Sequence, residues 1–497
     1  MRRYFPDLES FTVAARSADV VPVYRQLLAD RLTPVTAFEV LGRDAHAFLL
    51  ESVVGGEKIG RYSFIATSPS IVYTAMGNAA CVQESTKKMR EFATSDPLAD
   101  LTKLMPPRRY HRDPGLPAFT GGLVGYAGYD TVRYYEGEKL KADPKKDDRR
   151  LPDVLFGLYN ELVIFDNVDK TIKVVANAMI DSTAEAAYRD ACRRVDELVQ
   201  RLSQPSVSSL GEIDPGKPLS LAFSSNLSKD QFEDAVRSGL EYIRAGDIFQ
   251  FVPSQRLRVQ SEARPMDVYR ALRVINPSPF MFFLKSPACT LIGSSPEILC
   301  RVQDGVMTSR PLAGTRRRGT TEKEDAALEK ELLADPKERA EHIMLVDLHR
   351  NDVGRVAKVG SVKISDVMTV ERYSHVMHIV SHVTGELAQG MTSMDALRVS
   401  LPVGTVSGAP KLRAMQIIDE LEPTKRGPYG GAVGYADFAG NMDTCIALRT
   451  IIWKNGVYDV QAGAGVVADS IPEQEYEETM NKAKAMLKAV ELAERGF

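Results

Sequence analysis

DPKERAEHIMLVDLHRNDVG, Asp335 to Gly354, is the stretch on which the reading of this chain turns. Asp335 suits a helix N-cap, Pro336 the first helical position, and Glu338 the place where a capping box puts its carboxylate. The apolar residues Ile343, Met344, Leu345, Val346 and Leu348 then predict a helix seated in a core. Glu338 and Glu341 stand three apart and leave the first turn on the same side. A second stretch, PEQEYEETMNKAKAML from Pro472, repeats the theme, with Glu475, Glu478 and Lys482 on one helical stripe. Glu-x-x-Glu on a helix is usually a solvated face. Two such pairs brought together, however, repel strongly unless a cation lies between them. Hard oxygen ligands without nearby cysteine suit Mg2+, which keeps waters and takes only one or two carboxylates plus an anionic substrate.

Outward from these helices, composition narrows the classes. A chain of 497 residues can bury a large core and is expected to form two or more domains. With 44% hydrophobic and 26% charged residues it reads as an ordinary globular protein. A formal charge of -3 offers nucleic acid no general attraction. Cys81, Cys192, Cys289, Cys300 and Cys445 stand far apart, which excludes the usual zinc and redox spacings and suits a reducing compartment. The first residues lack a signal-like apolar region and no stretch is long enough to span a bilayer, so a cytoplasmic location is expected.

Residues 1–205 read as one α+β domain. VVPVYRQLLAD predicts an early helix, and AFEVL and AFLLESV predict strands. After GRYSFIAT comes the glycine-dense TGGLVGYAGYD at 120–130. VLFGLYNELVIFD and TIKVVANAMI predict a hairpin turning at Asn167 to Lys170. TAEAAYRDACRRVDELVQRL is an amphipathic helix that closes the domain. Residues 203–218, rich in serine, proline and glycine, predict a linker. The second domain, 219–497, opens with a strand, LSLAFSSN, and a helix, SKDQFEDAVRSGLEYIRAG. Strands and helices then mix without a repeated βαβ period, which argues α+β with mainly antiparallel sheet. GAGVVA at 463–468 matches G-x-G-x-x-A, but Asp469, Ser470 and Pro472 delay the helix that a dinucleotide site needs. GTVSGAPK at 404–411 lacks the spacing of a phosphate loop.

The segments EHIMLVDL, HVMHIVS, GTVSGAPK and AGAGVVADS, in this order, resemble the anthranilate synthase component I family of chorismate-utilising enzymes. The resemblance covers nearly the whole chain. It implies a chorismate-binding fold of two large, mainly antiparallel sheets flanked by helices, with the active site in a cleft between them. It also implies a Mg2+-dependent lyase acting on chorismate, a dianion whose C4 hydroxyl must leave. Glu341 and Glu478 would hold the metal, with Glu338 and Glu475 as direct or water-bridged partners. Arg449, Tyr429 and the backbone of Gly463, Ala464 and Gly465 would take the second carboxylate, with Lys482 adding charge. Arginine suits two-point binding of a carboxylate, and a glycine-rich turn lets backbone approach an anion. Glu297, in GSSPE, matches the family's general acid and must have a raised pKa to serve near neutral pH. His378 matches the catalytic histidine, whereas His342, His349, His375 and His382 read as core or surface residues. Thr405, Gly314 and Thr315 would line the pocket.

The nucleophile separates family members. Water-adding relatives activate water with a lysine where this chain has Gln250, which cannot act as a base. Aminodeoxychorismate synthases typically carry lysine in P-I-K-G-T, where PLAGT here has Ala313. Ammonia is therefore the expected nucleophile and anthranilate the expected product, the first step of tryptophan biosynthesis. Glutamine hydrolysis needs an activated cysteine, and no cysteine here sits in a G-x-C-x-G turn. A separate glutamine amidotransferase subunit is expected, in a heterotetramer of two large and two small subunits. Leu50, Glu51 and Ser52 of LLES, with Asn276, Pro279, Phe280, Met281 and Phe282 of NPSPFMFF, match the family's elements for feedback inhibition by tryptophan. Cys445 would add to that pocket, and Phe280 replaces the commoner tyrosine.

Overall fold

Strands from both halves of the chain build both large sheets. The computed structural model describes residues 3–53, 60–85, 88–106, 108–140, 147–205, 211–372 and 376–496. The first sheet has 11 strands, and it joins a block of Val20–Leu28, Ala47–Glu51, Tyr62–Thr67, Glu161–Asp166 and Thr171–Met179 to a block that includes Phe280–Lys285, Thr290–Ser295, Thr450–Lys454 and Val457–Gly463, the two meeting where Ala47–Glu51 pairs with Phe280–Lys285. The second, of 12 strands, joins Gly122–Ala127 and Val154–Tyr159 to Ala432–Asp437 and Met442–Ile446 at its centre. Every ladder between named strands is antiparallel. The expected α+β architecture is present. The linker at 203–218, of which 206–210 lie outside the described residues, divides the chain in sequence but does not divide the sheets.

The inner faces meet in one apolar layer, where Phe48, Phe282, Leu291 and Ile452 of the first sheet pack with Val124, Leu155, Val433 and Cys445 of the second. Helices cover the outer faces. Ala184–Leu202, Pro265–Ile275 and Pro472–Arg495 bury apolar residues against the first sheet, and Ser393–Ser400 does so against the second. No helix among the described residues is long and apolar enough to cross a membrane.

Several local expectations change. Val20–Leu28 is a strand, not a helix. Val20, Val21 and Val23 are stiff β-branched residues and fully buried, and the strand ends the sheet, where Pro22 is tolerated. AFEVL belongs to a helix, Pro34–Leu41, because Thr33 and Thr36 form a capping box and Pro34 opens the first turn. LSLAFSSN contributes only the short strand Ser224–Ser225. The hairpin turn at Asn167 to Lys170 is as expected, between Glu161–Asp166 and Thr171–Met179. After Gly463 no helix opens until Pro472, so the glycine-rich turn is not a dinucleotide loop.

The helix Pro336–Gly354 forms with Asp335 accepting from the N–H groups of Lys337 and Glu338. The reciprocal half of the capping box is absent, because the Glu338 carboxylate instead receives Arg316 Nη1 at 3.1 Å. The buried face also differs from the expected apolar run. His342, Leu345, His349, Asp352 and Val353 face inward, while Ile343 is exposed.

Candidate active site

Two crossovers between the sheets set the site. Thr290–Ser295 ends in the first sheet and Ile298–Gln303 begins in the second, so Pro296 and Glu297 form the bridge. Met442–Ile446 and Thr450–Lys454 make the second switch, with Arg449 in the connection. The two are neighbours, for Ile446 N–H donates to the Glu297 carbonyl and Ser294 N–H to the Arg449 carbonyl.

Glu297 is buried, and its carboxyl accepts from Thr405 Oγ1 at 2.9 Å. Burial pushes its pKa up to about 8, against smaller opposing effects of the Thr405 hydroxyl and the Arg310 guanidinium. A carboxyl in that range keeps its proton at neutral pH and can donate it. His378 lies on the strand Val376–Glu386, with Nδ1 2.8 Å from the Gly314 carbonyl and 3.2 Å from Thr315 Oγ1. Burial lowers its pKa, as do the Arg449 and Arg310 guanidiniums, so the ring favours the neutral form. The carbonyl fixes the proton on Nδ1 and leaves Nε2 as the basic atom. Gly314 sits at φ +66° where the ladder to that strand slips, and a Cβ there would come within 3.1 Å of Glu338 Oε2. Only glycine fits this turn without strain.

At the other end, Arg449 holds φ +48°, a strained conformation for a residue other than glycine. Burial depresses its pKa, and Tyr429 and Glu478 act to restore it. The Gly463 main chain hydrogen-bonds the Tyr429 hydroxyl, and Lys482 Nζ donates to the Gly463 carbonyl at 2.9 Å. Arg449, Tyr429, Gly463 and Lys482 thus form one cluster. Ala464 contributes less than expected, since its N–H is used by the Pro253 carbonyl at 3.2 Å. A Cβ on Gly465 would lie 3.0 Å from Gln250 Nε2, which places Gln250 against the turn. Arg449, Glu478, Lys482, Asn481 and Asn276 line an open cleft of about 820 Å3.

The four expected metal carboxylates come from the two helices but are not equivalent. Glu338 is held by Arg316, which also pairs with Glu331 and Asp335. Glu478 pairs with Lys482 at 2.5 Å. Glu341 receives only a long contact from Gln250 Nε2, 3.4 Å. Burial raises its pKa first, and the charges of Glu338 and Glu478 raise it further. Glu475 is raised by burial and by Glu478, and its Oε2 is buried without a hydrogen-bond partner. No group of three or more candidate metal ligands is preassembled among the described residues. An orphaned carboxylate oxygen and mutual repulsion nevertheless fit a cation that keeps waters and takes few protein ligands.

The suggested inhibitor elements are adjacent strands. Glu51 pairs with Met281 and Leu50 with Phe282. Leu50 and Phe280 pack on the layer that contains Phe282 and Cys445. Ser52 directly follows this pairing, and Pro279 precedes it. The Glu51 carboxylate is already occupied, accepting from Tyr269 Oη at 2.6 Å and Arg273 Nη2 at 3.2 Å. Asn276 Nδ2 donates to Ser294 Oγ at 3.1 Å.

His342 and His349 are core residues. They bond Ser381 and Ser309, and burial pushes their pKa values down to about 4 and about 3. His382 faces Asp366, and His375 lies outside the described residues. Arg310 went unnoticed in the sequence. It ion-pairs with Glu371, which stands opposite His378 in the ladder, and its charge reaches both Glu297 and His378. The buried Arg426–Glu422 pair under Tyr429 was also missed. No local pattern marks either arginine.

The family profile described as chorismate binding enzyme matches residues 46–488. The chain belongs to the chorismate binding enzyme family. Among curated members, anthranilate synthase component 1 from Acetivibrio thermocellus is 47% identical over 99% of both chains. The protein of that name from Pseudomonas aeruginosa is 48% identical over 98% of this chain and 99% of its own. The crystal structure of anthranilate synthase component I from Streptococcus pneumoniae superposes with a TM-score of 0.75 at 36% identity, over 93% of this chain and 99% of that one. The menaquinone-specific isochorismate synthase of Escherichia coli shares the fold, with a TM-score of 0.69 at 18% identity over 97% and 98% of the two chains. The fold is thus shared by an anthranilate synthase component and an isochorismate synthase, so the fold alone does not name the reaction.

Proposed function

We propose that this chain is the large, ammonia-using subunit of an anthranilate synthase, converting chorismate and ammonia to anthranilate, pyruvate and water. The observation that carries the reading is the buried Glu297, protonated up to about pH 8 beside Thr405. Chorismate binds across the cleft, its enolpyruvyl carboxylate on Arg449 and Tyr429 with Lys482 adjacent. Mg2+ held by Glu341 and Glu478, with Glu475 and Glu338 in support, would anchor the ring carboxylate and draw charge off the ring. Glu297 gives its proton to the departing C4 oxygen as ammonia adds at C2. His378 Nε2 takes the C2 proton when pyruvate is eliminated and the ring becomes aromatic. Thr405 orients the acid, and the Gly314 carbonyl orients the histidine.

Ala313 is buried and registers with Ile379. Its methyl group supplies no amine in place of ammonia, which favours anthranilate over an aminodeoxychorismate product. Gln250 contacts Glu341 but cannot deprotonate water. A glutamine amidotransferase partner supplies ammonia in the cell, in a complex of two large and two small subunits, and tryptophan inhibits. The test incubates purified chain with chorismate, Mg2+ and either ammonium or glutamine. Anthranilate fluorescence is expected with ammonium and not with glutamine until an amidotransferase is added. A non-aromatic aminated product reassigns the enzyme to aminodeoxychorismate synthesis, and glutamine-dependent activity of the chain alone removes the need for a partner.

A further inference from the structure

Five charged side chains from distant parts of the chain meet near one edge of the first sheet. Asp148 and Arg149 precede the strand Val154–Tyr159, Arg256 and Arg258 lie on Ser254–Gln260, and Asp459 stands opposite Arg258 on Val457–Gly463. Arg149 Nη1 is 4.0 Å from Asp459 Oδ2, and Asp459 Oδ1 receives Arg258 Nε at 2.8 Å. Arg258 Nη2 reaches Asp148 Oδ2 at 3.2 Å, and the same oxygen receives Arg256 Nη2 at 2.7 Å. The signs alternate along this path, from Arg149 at one end to Arg256 at the other. The two ends are themselves neighbours. Burial lowers the Arg149 pKa to about 10, and the adjacent Arg256 charge adds to the fall against the carboxylates of Asp459 and Asp148.

Both end guanidiniums are buried, and the Nη1 atom of each has no hydrogen-bond partner among the described residues. Their Nη2 atoms are occupied, that of Arg149 by the Arg426 carbonyl at 2.7 Å and that of Arg256 by Asp148. Three guanidiniums thus face two carboxylates, and one positive charge is unanswered. The surrounding groups do not answer it. Lys454 Nζ donates to the Arg149 carbonyl at 2.7 Å and adds a further cation. Asp147 and Asp153 face Lys425 at 3.9 and 3.8 Å, and Glu422 is taken by Arg426. Buried charge without a partner is costly, and a buried donor without one calls for an ion or a water. A water would satisfy the two Nη1 atoms but leave the charge. A sixth member of negative sign completes the alternation.

We propose that Arg149 and Arg256 bind a small monovalent anion of the halide type between their Nη1 atoms. One unit of negative charge is what the alternation lacks. Two unpartnered nitrogens are too few for the several acceptor oxygens of a phosphate, whereas a monatomic ion needs no more. The site is structural and independent of the function proposed above. Arg149 belongs to the first half of the chain and Arg256 to the second, so the ion ties the segment before Val154–Tyr159 to the strand Ser254–Gln260.

The experiment uses the full chain with bromide as the probe. Crystals grown in sodium bromide are measured at the bromine absorption edge, and an anomalous peak is expected between Arg149 Nη1 and Arg256 Nη1. In solution, thermal melting of parent and Arg256→Gln is followed as bromide replaces gluconate at constant ionic strength. Salts also act on folded chains in general, so the measure is the difference between the two proteins. An ion bound only by the folded parent should widen that difference by at least about 1 °C. In Arg256→Gln the charges balance, and the anomalous peak should vanish. A water without anomalous signal between the two Nη1 atoms overturns the proposal. A peak with no widening of the Tm difference marks an adventitious ion only and overturns it as well. Should Arg256→Gln fail to fold, Arg149→Gln takes its place. Should both fail, the parent crystal decides, a peak supporting the site and its absence overturning it.

Discussion

The acid end and the carboxylate end of the candidate site are built on opposite terms. Around Glu297 and His378 the polar atoms have partners within the chain, namely Thr405, the Gly314 carbonyl and Thr315. Burial sets the protonation there without help from outside. At the other end the chain neutralises half of its charge. Arg316 answers Glu338 and Lys482 answers Glu478, while Glu341 and Glu475 are half-buried, and their pKa values are raised by burial and neighbouring carboxylates despite Lys337 nearby. Partly desolvated like charges are costly, and a cation or proton uptake relieves them. One end is preset by folding, and at the other the proposed function calls for an ion.

The largest expected effect breaks the carboxylate end. Glu341→Gln or Glu478→Gln should reduce ammonium-dependent turnover by on the order of 10^3-fold or more, the scale of charge stabilisation lost with a catalytic metal. Circular dichroism should be unchanged, and calorimetry should show Mg2+ affinity lost. Parent-like turnover in both variants would mean that the carboxylates are only a solvated face. Glu297→Gln comes next, with a loss of roughly 10^2- to 10^4-fold for a missing general acid. It should leave Mg2+ affinity intact, which is how the two ends are told apart.

The same glutamate sharpens the contrast through pH. Its folded pKa of about 8 stands above the ordinary 4.5, so the folded chain retains a proton that the unfolded chain has released. Stability from this group is therefore present below about pH 4.5, declines across the window to about 8 and is absent above it. The span is at most about 5 kcal/mol. Activity should fall about tenfold per pH unit above 8 as the acid is lost. Chemical denaturation of parent and Glu297→Gln at pH 5 and pH 9 measures the stability difference. The variant should gain stability relative to the parent at pH 9, and an equal difference at both pH values would refute the raised pKa.

The sequence made the site more legible than the fold. The two glutamate pairs, Glu297, His378 and Arg449 stand in short motifs that carry their chemistry locally, and in the structure the Arg449 charge reaches His378 while Glu478 reaches both Arg449 and Glu341. The sheets were harder. Val20–Leu28 has a spacing compatible with either periodicity, and what makes it a strand is its pairing with Thr171–Met179, some 150 residues away. Glu338 has the spacing of a helix cap, but its partner, Arg316, lies on the strand Leu312–Arg317, which no local spacing brings to it. Arg310 reaches Glu297 and His378 through neighbours brought in by the crossovers, and no period of 2 or 3.6 residues announces a crossover. Local chemistry is written in adjacent residues, whereas long-range pairing is decided by burial that only the folded chain defines.

The smallest effect on basal activity tests the boundary of the comparison. Ser52 follows the Glu51–Met281 pairing and is not among the residues proposed for catalysis. Ser52→Phe adds an aromatic ring beside the Leu50, Phe280 and Phe282 layer, where a tryptophan side chain would otherwise lodge. Uninhibited turnover with ammonium should remain within about twofold, as for substitutions remote from the chemistry. Tryptophan affinity should fall by at least about tenfold, the scale of one lost buried contact. The two readouts must separate. If turnover collapses together with tryptophan binding, the strand Ala47–Glu51 supports the active site directly, and the inhibitor elements are not a distinct region. If neither changes, the pocket does not include Ser52. Only retained turnover with lost tryptophan affinity leaves a third region standing beside the acid and the carboxylate ends.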